Sequence, residues 1–529
     1  MREYDAVIVG AGFAGLYMLY SLRRLGLSTL VLEAGKGVGG TWYWNRYPGA
    51  RCDTDSVEYS YQFSEELQQE WNWTERFATQ PEILSYLEYV ADRFSLLSDI
   101  QLESKVVSAH FNEKVSRWVV KTEDGFLVSA TYCLMATGCL SAINEPQFEG
   151  LGGFEGQWYH TGKWPHDGVK FSGQKVGVVG TGSSAIQAIP LIAKQAQNLT
   201  VFQRQANYSV PAYNAPLDPK EYAKIKQNYS SHRERAKTWP TGCWWPVNSA
   251  TAAELSQEAQ QRELEERWAI GGLRLYGTFS DILLDKASNE IVAEFVRGKI
   301  RTIVEDPSVA DLLSPRSILG CKRICLDTDY YATFNRNNVR LIDIGSNPIV
   351  DILSDGIRTN SEVFELDVIV FATGFDAMTG SLTRIDIRGI DHLSLSDKWV
   401  DGPRNYLGIA VSGFPNMFTI SGPGSPSVLT NMVPSIEQHV EWISGCIGTA
   451  QAMGVSRVEA SLEAEDLWVE HNRDVADTTL FPSCNSWYIG ANVPGKPRVF
   501  APYIGGFPSY VEKCNEVANN NYEGFTFVT

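Results

Sequence analysis

Apolar positions along this chain change period from block to block, and the changes predict its elements. Residues 4–9 form a short apolar run suited to a buried parallel strand. Residues 16–25 carry an apolar face at helical spacing and stop at Gly26; residues 28–32 read as a second strand ending at Glu33. The same order recurs at residues 175–179 (strand), 186–196 (helix) and 199–202 (strand), with Pro190 expected to bend or interrupt the helix. Between the blocks, residues 81–94 predict an amphipathic helix. Residues 105–111, 118–121 and 126–130 alternate like strands of a small antiparallel sheet. Two further apolar runs, 132–136 and 366–371, close on Ala136-Thr137-Gly138 and Ala372-Thr373-Gly374, which suggests a duplicated construction. After a proline-rich connection at 211–219, residues 221–238, 252–268, 281–284 and 290–304 are charged and helical in pattern. They predict a helical insertion, whose Trp239, Trp244 and Trp245 either cover a pocket or pack a core. Residues 436–453 and 460–478 read as helices.

Each repeated block carries a glycine-rich turn between strand and helix: Gly10-Ala-Gly12-Phe13-Ala14-Gly15 and Gly180-Thr181-Gly182-Ser183-Ser184-Ala185. The first glycine permits the tight turn and the second lets backbone approach a pyrophosphate. The third position, here Gly15 or Ala185, keeps helix and strand close. The helix N-terminus presents free N–H groups to phosphate. Each turn therefore reads as a dinucleotide site. Glu33 suits a ribose diol, so the first site fits FAD. The second strand leads instead to Arg204, with no acid at the matching place, and a guanidinium grips a 2′-phosphate, which favours NADPH. Two different dinucleotides in one chain point to a flavoprotein that accepts hydride from NADPH.

The chain has 529 residues, too many for one core, with 44% hydrophobic and 20% charged residues. Its net charge of −17 argues against nucleic acid or an anionic membrane surface as partner. The nine cysteines are scattered, odd in number and include no C-x-x-C, which fits free thiols in a reducing compartment better than a disulfide framework or a metal site. No secretory leader or membrane-length apolar run is visible. The expectation is a cytoplasmic enzyme, monomeric or weakly homo-oligomeric, acting on a small molecule.

Three stretches carry candidate chemistry that composition leaves open. Gly39-Gly40-Thr41-Trp42-Tyr43-Trp44 is a packed corner or a flavin-side wall, and Asp53 is a charged site residue or a turn cap. Cys321-Lys322-Arg323 reads as ordinary surface charge from its residues alone, and the Gly- and Pro-rich loop at 487–496 is functional or merely anchored by Trp487. Residues 154–165 lie between the two dinucleotide turns, where a linker can move one cofactor relative to the other.

With these residues in place, the chain resembles the type I Baeyer–Villiger monooxygenases, close to the phenylacetone and cyclohexanone group, over nearly its whole length. Phe154-x-Gly156-x-x-x-His160-x-x-x-Trp164-Pro165 matches that family's fingerprint at every fixed position, and Gly40-x-Trp42-x-x-x-x-Tyr47-Pro48-Gly49-x-x-x-Asp53 matches its second. The resemblance implies an α/β fold of two Rossmann-like dinucleotide-binding domains with a helical insertion. The FAD domain would span 1–146 and 382–529, the NADPH domain 147–210 and 321–381, and the insertion 211–320. It implies FAD contacts from Gly10, Gly12, Phe13, Ala14, Gly15, Glu33, Gly40, Thr41, Trp42, Asp53, Tyr59, Val106 and Met432. It implies NADP contacts from Thr181, Gly182, Ser183, Ser184, Ala185, Gln187, Arg204, Gln205, Lys322, Arg323 and Trp487. Gln205 stands where a Thr often follows the arginine.

The resemblance further implies that Arg323, positioned by Asp53, holds the negative charge of a flavin peroxide while a ketone is converted to an ester or lactone. Cys139, Ser427, Val428 and Leu429 would line the substrate pocket, and His160 and Trp164 would form a hinge. Rival readings are an N- or S-oxidising flavin monooxygenase, a disulfide reductase (which needs a cysteine pair beside the flavin, where only Cys52 stands) and a non-catalytic nucleotide sensor.

Overall fold

A computed structural model describes residues 1–529, and in it each strand–helix–strand block seeds its own sheet. In the first, β1 (Arg2–Val9), β2 (Thr29–Leu32) and β3 (Ile100–Gln101) are parallel neighbours. β4 (Val106–Asn112), β5 (Arg117–Thr122) and β6 (Leu127–Met135) form an antiparallel meander. The expected antiparallel pairing forms, and the meander is continuous with the first sheet. β6 runs straight from the alternating stretch into the apolar one, because only Thr131, a good strand former, lies between them. β6 also pairs in parallel with β1 along nearly its whole length, from Arg2 opposite Val128 to Val9 opposite Met135.

The second sheet is wholly parallel, in the order β12–β9–β8–β16–β7. Its strands are β7 (Gln157–His160), β8 (Lys175–Val179), β9 (Asn198–Gln203), β12 (Val339–Asp343) and β16 (Val368–Phe371). The helix Ser183–Ala193 passes through Pro190 without a break. Pro190 lies in the last turn, so one lost N–H bond leaves little helix beyond it to disturb. β10 (Ser209–Pro211) and β11 (Cys325–Asp327) pair at the root of the insertion. β13 (Ile349–Leu353), β14 (Gly356–Thr359) and β15 (Val363–Glu365) make a short antiparallel sheet before β16. β17 (Asp386–Arg388) and β18 (Met417–Thr419) then return to the first sheet, beside β4 and β6.

The insertion is helical with boundaries other than those expected. Residues 221–238 split into Pro219–Gln227 and Tyr229–Lys237 at the non-helical Asn228. Residues 252–268 become a single turn and then Gln257–Ile270, begun by a Ser256 cap. Residues 281–284 form a turn, with the Asp281 carboxylate accepting from Ala252 N–H (3.2 Å) and the Ser288 hydroxyl (2.6 Å). One apolar core joins Ala185, Ile186 and Ile189, behind the second glycine turn, to Val292, Val296 and Ile300 of the insertion. The insertion is thus rooted on the second sheet.

The cysteine expectation is corrected in one pair: Cys321 and Cys484 are disulfide-bonded, and the other seven are free and buried. The partners lie 163 residues apart, so no local spacing announces them.

Two linkers between the sheets cross at His160. Ile143 bridges Phe375, Asn144 N–H donates to Gly374 O (2.9 Å), and the Thr373 hydroxyl donates to Asn144 O (2.9 Å). His160, the last residue of β7, accepts from Gly162 N–H at Nδ1 (3.0 Å), so its proton sits on Nε2, 3.1 Å from Thr373 Oγ1. Trp164 is buried between Tyr159 and Phe171. Burial, aided by Lys163, lowers the His160 pKa from 6.5 to about 4. The unfolded chain therefore binds the proton first. His160 adds stability above pH 6.5 that is lost as pH falls toward about 4. The stability of the parent relative to His160→Asn is expected to fall by roughly 3 kcal/mol across that window, at about 1.4 kcal/mol per pKa unit. Urea melts at several pH values check this, and a pH-independent difference would contradict it.

Candidate active site

The two glycine turns are built alike. Gly10 has φ +104° and a Cβ there would lie 2.6 Å from Ala136 O; Gly180 has φ +109° and a Cβ would lie 2.6 Å from Ala372 O. The alanine that opens each Ala-Thr-Gly run therefore lies against the first glycine of its own turn, which is why the two runs match. Gly12 and Gly40 approach so closely that a Cβ on Gly12 would lie 3.3 Å from the Gly40 Cα. The helices Phe13–Arg24 and Ser183–Ala193 start at Gly12 and Gly182 with no side-chain cap, leaving their first N–H groups open to an anion. A Cβ on Gly182 would meet nothing within 4 Å, so that turn faces free space.

Around the first turn, buried Glu33 accepts from Ala11 N–H and Gly35 N–H, both at 2.7 Å. Burial raises its pKa, and the backbone bonds oppose the rise. Trp42 Nε1 donates to Tyr59 OH (3.1 Å), and Tyr59 meets the edge of Phe13. Phe13 and Ala14 are buried, Thr41 is exposed, and Val106 packs in one cluster with Val9 and Leu32, the latter next to Glu33.

Around the second turn, Thr181 Oγ1 donates to Gln205 O (2.9 Å) and Lys322 Nζ donates to Gln205 Oε1 (3.2 Å). The Lys322 pKa is lowered by burial and then by the Arg204 charge, so the two cations share one locality. Ser183 is exposed, and Ser184 Oγ lies 3.3 Å from Thr161 Oγ1 in the linker. Gln187 does not point at the turn. Its amide accepts from Tyr47 OH (2.9 Å) and donates to Arg51 O (3.2 Å), tying this helix to the 40–53 segment.

Between the turns, Arg323 meets Asp53 through two parallel bonds, Nε to Oδ2 at 2.5 Å and Nη2 to Oδ1 at 3.0 Å, while Nη1 donates to Val428 O at 2.9 Å. Burial alone would lower the Arg323 pKa, but the Asp53 charge and its hydrogen bonds reverse this and raise it. Tyr276 accepts from Ile324 N–H (3.2 Å) and stays neutral, its pKa pushed up to about 12 chiefly by burial. An apolar cluster of Cys139, Val428, Phe481 and Tyr488, with Leu429, Met432 and Trp487 against it, adjoins the Val428 carbonyl. Ser427 sits beside it at φ +44°, a backbone strain that belongs to site loops more than to packing. Burial raises the Cys139 pKa, so it stays a thiol.

Comparison with known proteins decides the family. A family model described as pyridine nucleotide-disulphide oxidoreductase matches residues 7–238. A Baeyer–Villiger monooxygenase of Pseudooceanicola batsensis is 42% identical over 98% of this chain and 95% of its own. The chain belongs to the Baeyer–Villiger monooxygenase family. A phenazine N-monooxygenase of Lysobacter antibioticus is also 42% identical, over 99% of this chain and 97% of its own. A solved structure titled oxidized steroid monooxygenase bound to NADP superposes with a TM-score of 0.95, at 49% identity and full coverage of both chains.

For a Baeyer–Villiger monooxygenase, several residues at this site escaped sequence reasoning. Tyr488 follows Trp487 and is the buried member of the pair. Lys496 Nζ reaches Asp376 Oδ1 (2.6 Å) and Ala377 O (2.8 Å), and Asn492 donates to Phe375 O (2.7 Å), so the 487–496 loop is bolted to a linker. The sequence holds a partial signal in Asp376, just after the second Ala-Thr-Gly. Cys52, the one cysteine near the predicted flavin site, is free, so no cysteine pair of reductase type stands there. Gly49 has φ +82°, and a Cβ there would lie 2.6 Å from Gln187 O. Gly49→Ala is expected to cost about 1–3 kcal/mol by strain and by displacing the helix Ser183–Ala193. Urea denaturation measures it, and unchanged stability would show that the close approach carries no cost.

Proposed function

We propose that this chain is an FAD- and NADPH-dependent monooxygenase that inserts one atom of O2 beside a ketone carbonyl, giving an ester or lactone. The observation that carries the reading is the Arg323 guanidinium, held by Asp53 and the Val428 carbonyl between two dinucleotide turns. The residues present fit both cofactors. The first turn, with Gly10, Gly12 and Gly15, forms a glycine cradle closed by Gly40, and Glu33 is the acid for a ribose. The second offers an open helix N-terminus with Arg204 and Lys322 for a 2′-phosphate and Gln205 between them. Bound FAD, once reduced by NADPH, supplies the electrons that make O2 reactive toward a carbonyl.

The remaining steps belong to the chain. Of five guanidinium N–H groups, three are spent on Asp53 and Val428, leaving two to face an anionic oxygen. Because Asp53 raises the Arg323 pKa, the cation persists at any working pH and stabilises charge that develops during oxygen transfer. Asp53 orients the guanidinium by its two-point grip. The cluster around Val428, Tyr488 and Trp487 excludes water, which otherwise diverts reducing equivalents to hydrogen peroxide. The division of the chain into a first unit (1–146 and 382–529) and a second (147–210 and 321–381) rests on which sheet each strand joins. His160 and Trp164 serve as the pivot between them. A second reading, oxygen transfer to an aromatic nitrogen, is favoured by the likeness to the phenazine N-monooxygenase. Product analysis over linear, cyclic and aryl ketones beside N-heteroaromatics separates the two.

Arg323→Ala is expected to keep NADPH-dependent flavin reduction while losing ester formation by a factor on the order of 10²–10³. Stopped-flow absorbance and chromatography of products report the two steps, and ketone conversion at the parent rate would overturn the assigned role. Arg204→Ala is expected to raise the KM for NADPH roughly tenfold or more with little change for NADH. Equal changes for the two nucleotides would remove Arg204 from the 2′-phosphate.

A further inference from the structure

Cys321 stands two residues before Arg323 and Cys484 three before Trp487, and their sulfurs are bonded with Cα atoms 5.4 Å apart. The segment that Cys484 opens adjoins the Arg323 site through Val428. Within it, Tyr488 is buried and the Trp487 ring packs against it, tilted by 37° with 4.0 Å between ring centroids. Both pack in the cluster with Val428, whose carbonyl accepts from Arg323. Asn492 and Lys496 anchor the middle of the segment to Phe375, Asp376 and Ala377 of a linker. Ala501 N–H closes it by donating to Tyr488 O (3.0 Å). No hydrogen bond joins residues 484–504 to residues 320–325, so the disulfide is what ties the cover to the approach of Arg323.

We propose that the Cys321–Cys484 disulfide is a positioning cross-link for the Arg323 site: it holds Trp487 and Tyr488 over the guanidinium, and its reduction by a dithiol frees them to lift and admit water. The proposal rests on the monooxygenase reading of this site. In the reduction, a dithiol thiolate attacks one sulfur of the bond, and its second thiol then closes a ring disulfide. The dithiol loses two electrons and two protons, and Cys321 and Cys484 each leave as a thiol. Cys321 is 6% exposed and Cys484 is 3% exposed, so the reagent reaches them only when the cover opens. A ligand that keeps the cover shut therefore protects the bond.

The test uses the FAD-loaded enzyme isolated without reductant. Peptide mapping is expected to find residues 321 and 484 in one cross-linked pair; recovery of both as alkylated free thiols would overturn the proposal. Saturating NADP+ is expected to slow reduction by dithiothreitol several-fold, and equal rates with and without it would count against a cover that moves. Reduction of the parent, and independently the double variant Cys321→Ser/Cys484→Ser, is expected to speed tryptic cleavage after Arg498 several-fold. Both are also expected to raise the hydrogen peroxide released per NADPH. Reoxidation should restore the parent and leave the double variant unchanged, a reversal that a general loss of stability does not give. Unaltered cleavage and peroxide yield in both proteins would sink the cross-link. Thiol mapping and cleavage need no turnover, so absence of ester product alongside protected, NADP+-sensitive sulfurs would indict the monooxygenase reading and leave the cross-link standing.

Discussion

A guanidinium that is largely removed from water needs a partner, and Arg323 has one only if two separately folded sheets meet correctly. Asp53 follows the glycine-rich segment of the first block, while Arg323 precedes β11 at the root of the insertion. Neither residue is held by its own sheet alone. Breaking such a pair leaves an uncompensated charge in a poorly solvated place, which costs far more than a surface ion pair contributes. The contacts that align the sheets therefore matter as much as the pair itself. Gly49 against Gln187, Tyr47 on the Gln187 amide and His160 on Thr373 all serve that alignment.

Where the chain speaks locally, its sequence is legible. The glycine turns, their flanking strands and the acid–arginine contrast between Glu33 and Arg204 lie within short windows, and the structure forms both blocks in the expected order. Asp53 and Arg323 each looked ordinary by composition, and only the family resemblance paired them across 270 residues. The meander's union with the first sheet was hidden because period alone does not say which strand a neighbour will choose. The Cys321–Cys484 bond, the Lys496–Asp376 contact and the Gln187 bridge are products of tertiary placement. Gln187 is instructive: the family resemblance implied a nucleotide contact there, and the structure shows its amide bonded to Tyr47 and Arg51 of the neighbouring unit.

The insertion occupies an intermediate position. Its charge and helical period were plain, but its helix ends followed caps and turns that single residues control, such as Asn228 and Ser256. Its core is continuous with that of the second sheet, so it is packed on the unit that carries the second glycine turn.

The crossing of the two linkers at His160 has a mechanical meaning. A single strand of chain between two bodies permits rotation about many axes and some sliding. Here two strands are bonded to each other where they cross, by Asn144, Thr373 and the Ile143–Phe375 bridge, which opposes their sliding past one another. In the pivot proposed above, such a crossing would leave chiefly a swing about its own line. Under that proposal, a cofactor carried on one body would leave its partner and return along the same arc, in register and without a search.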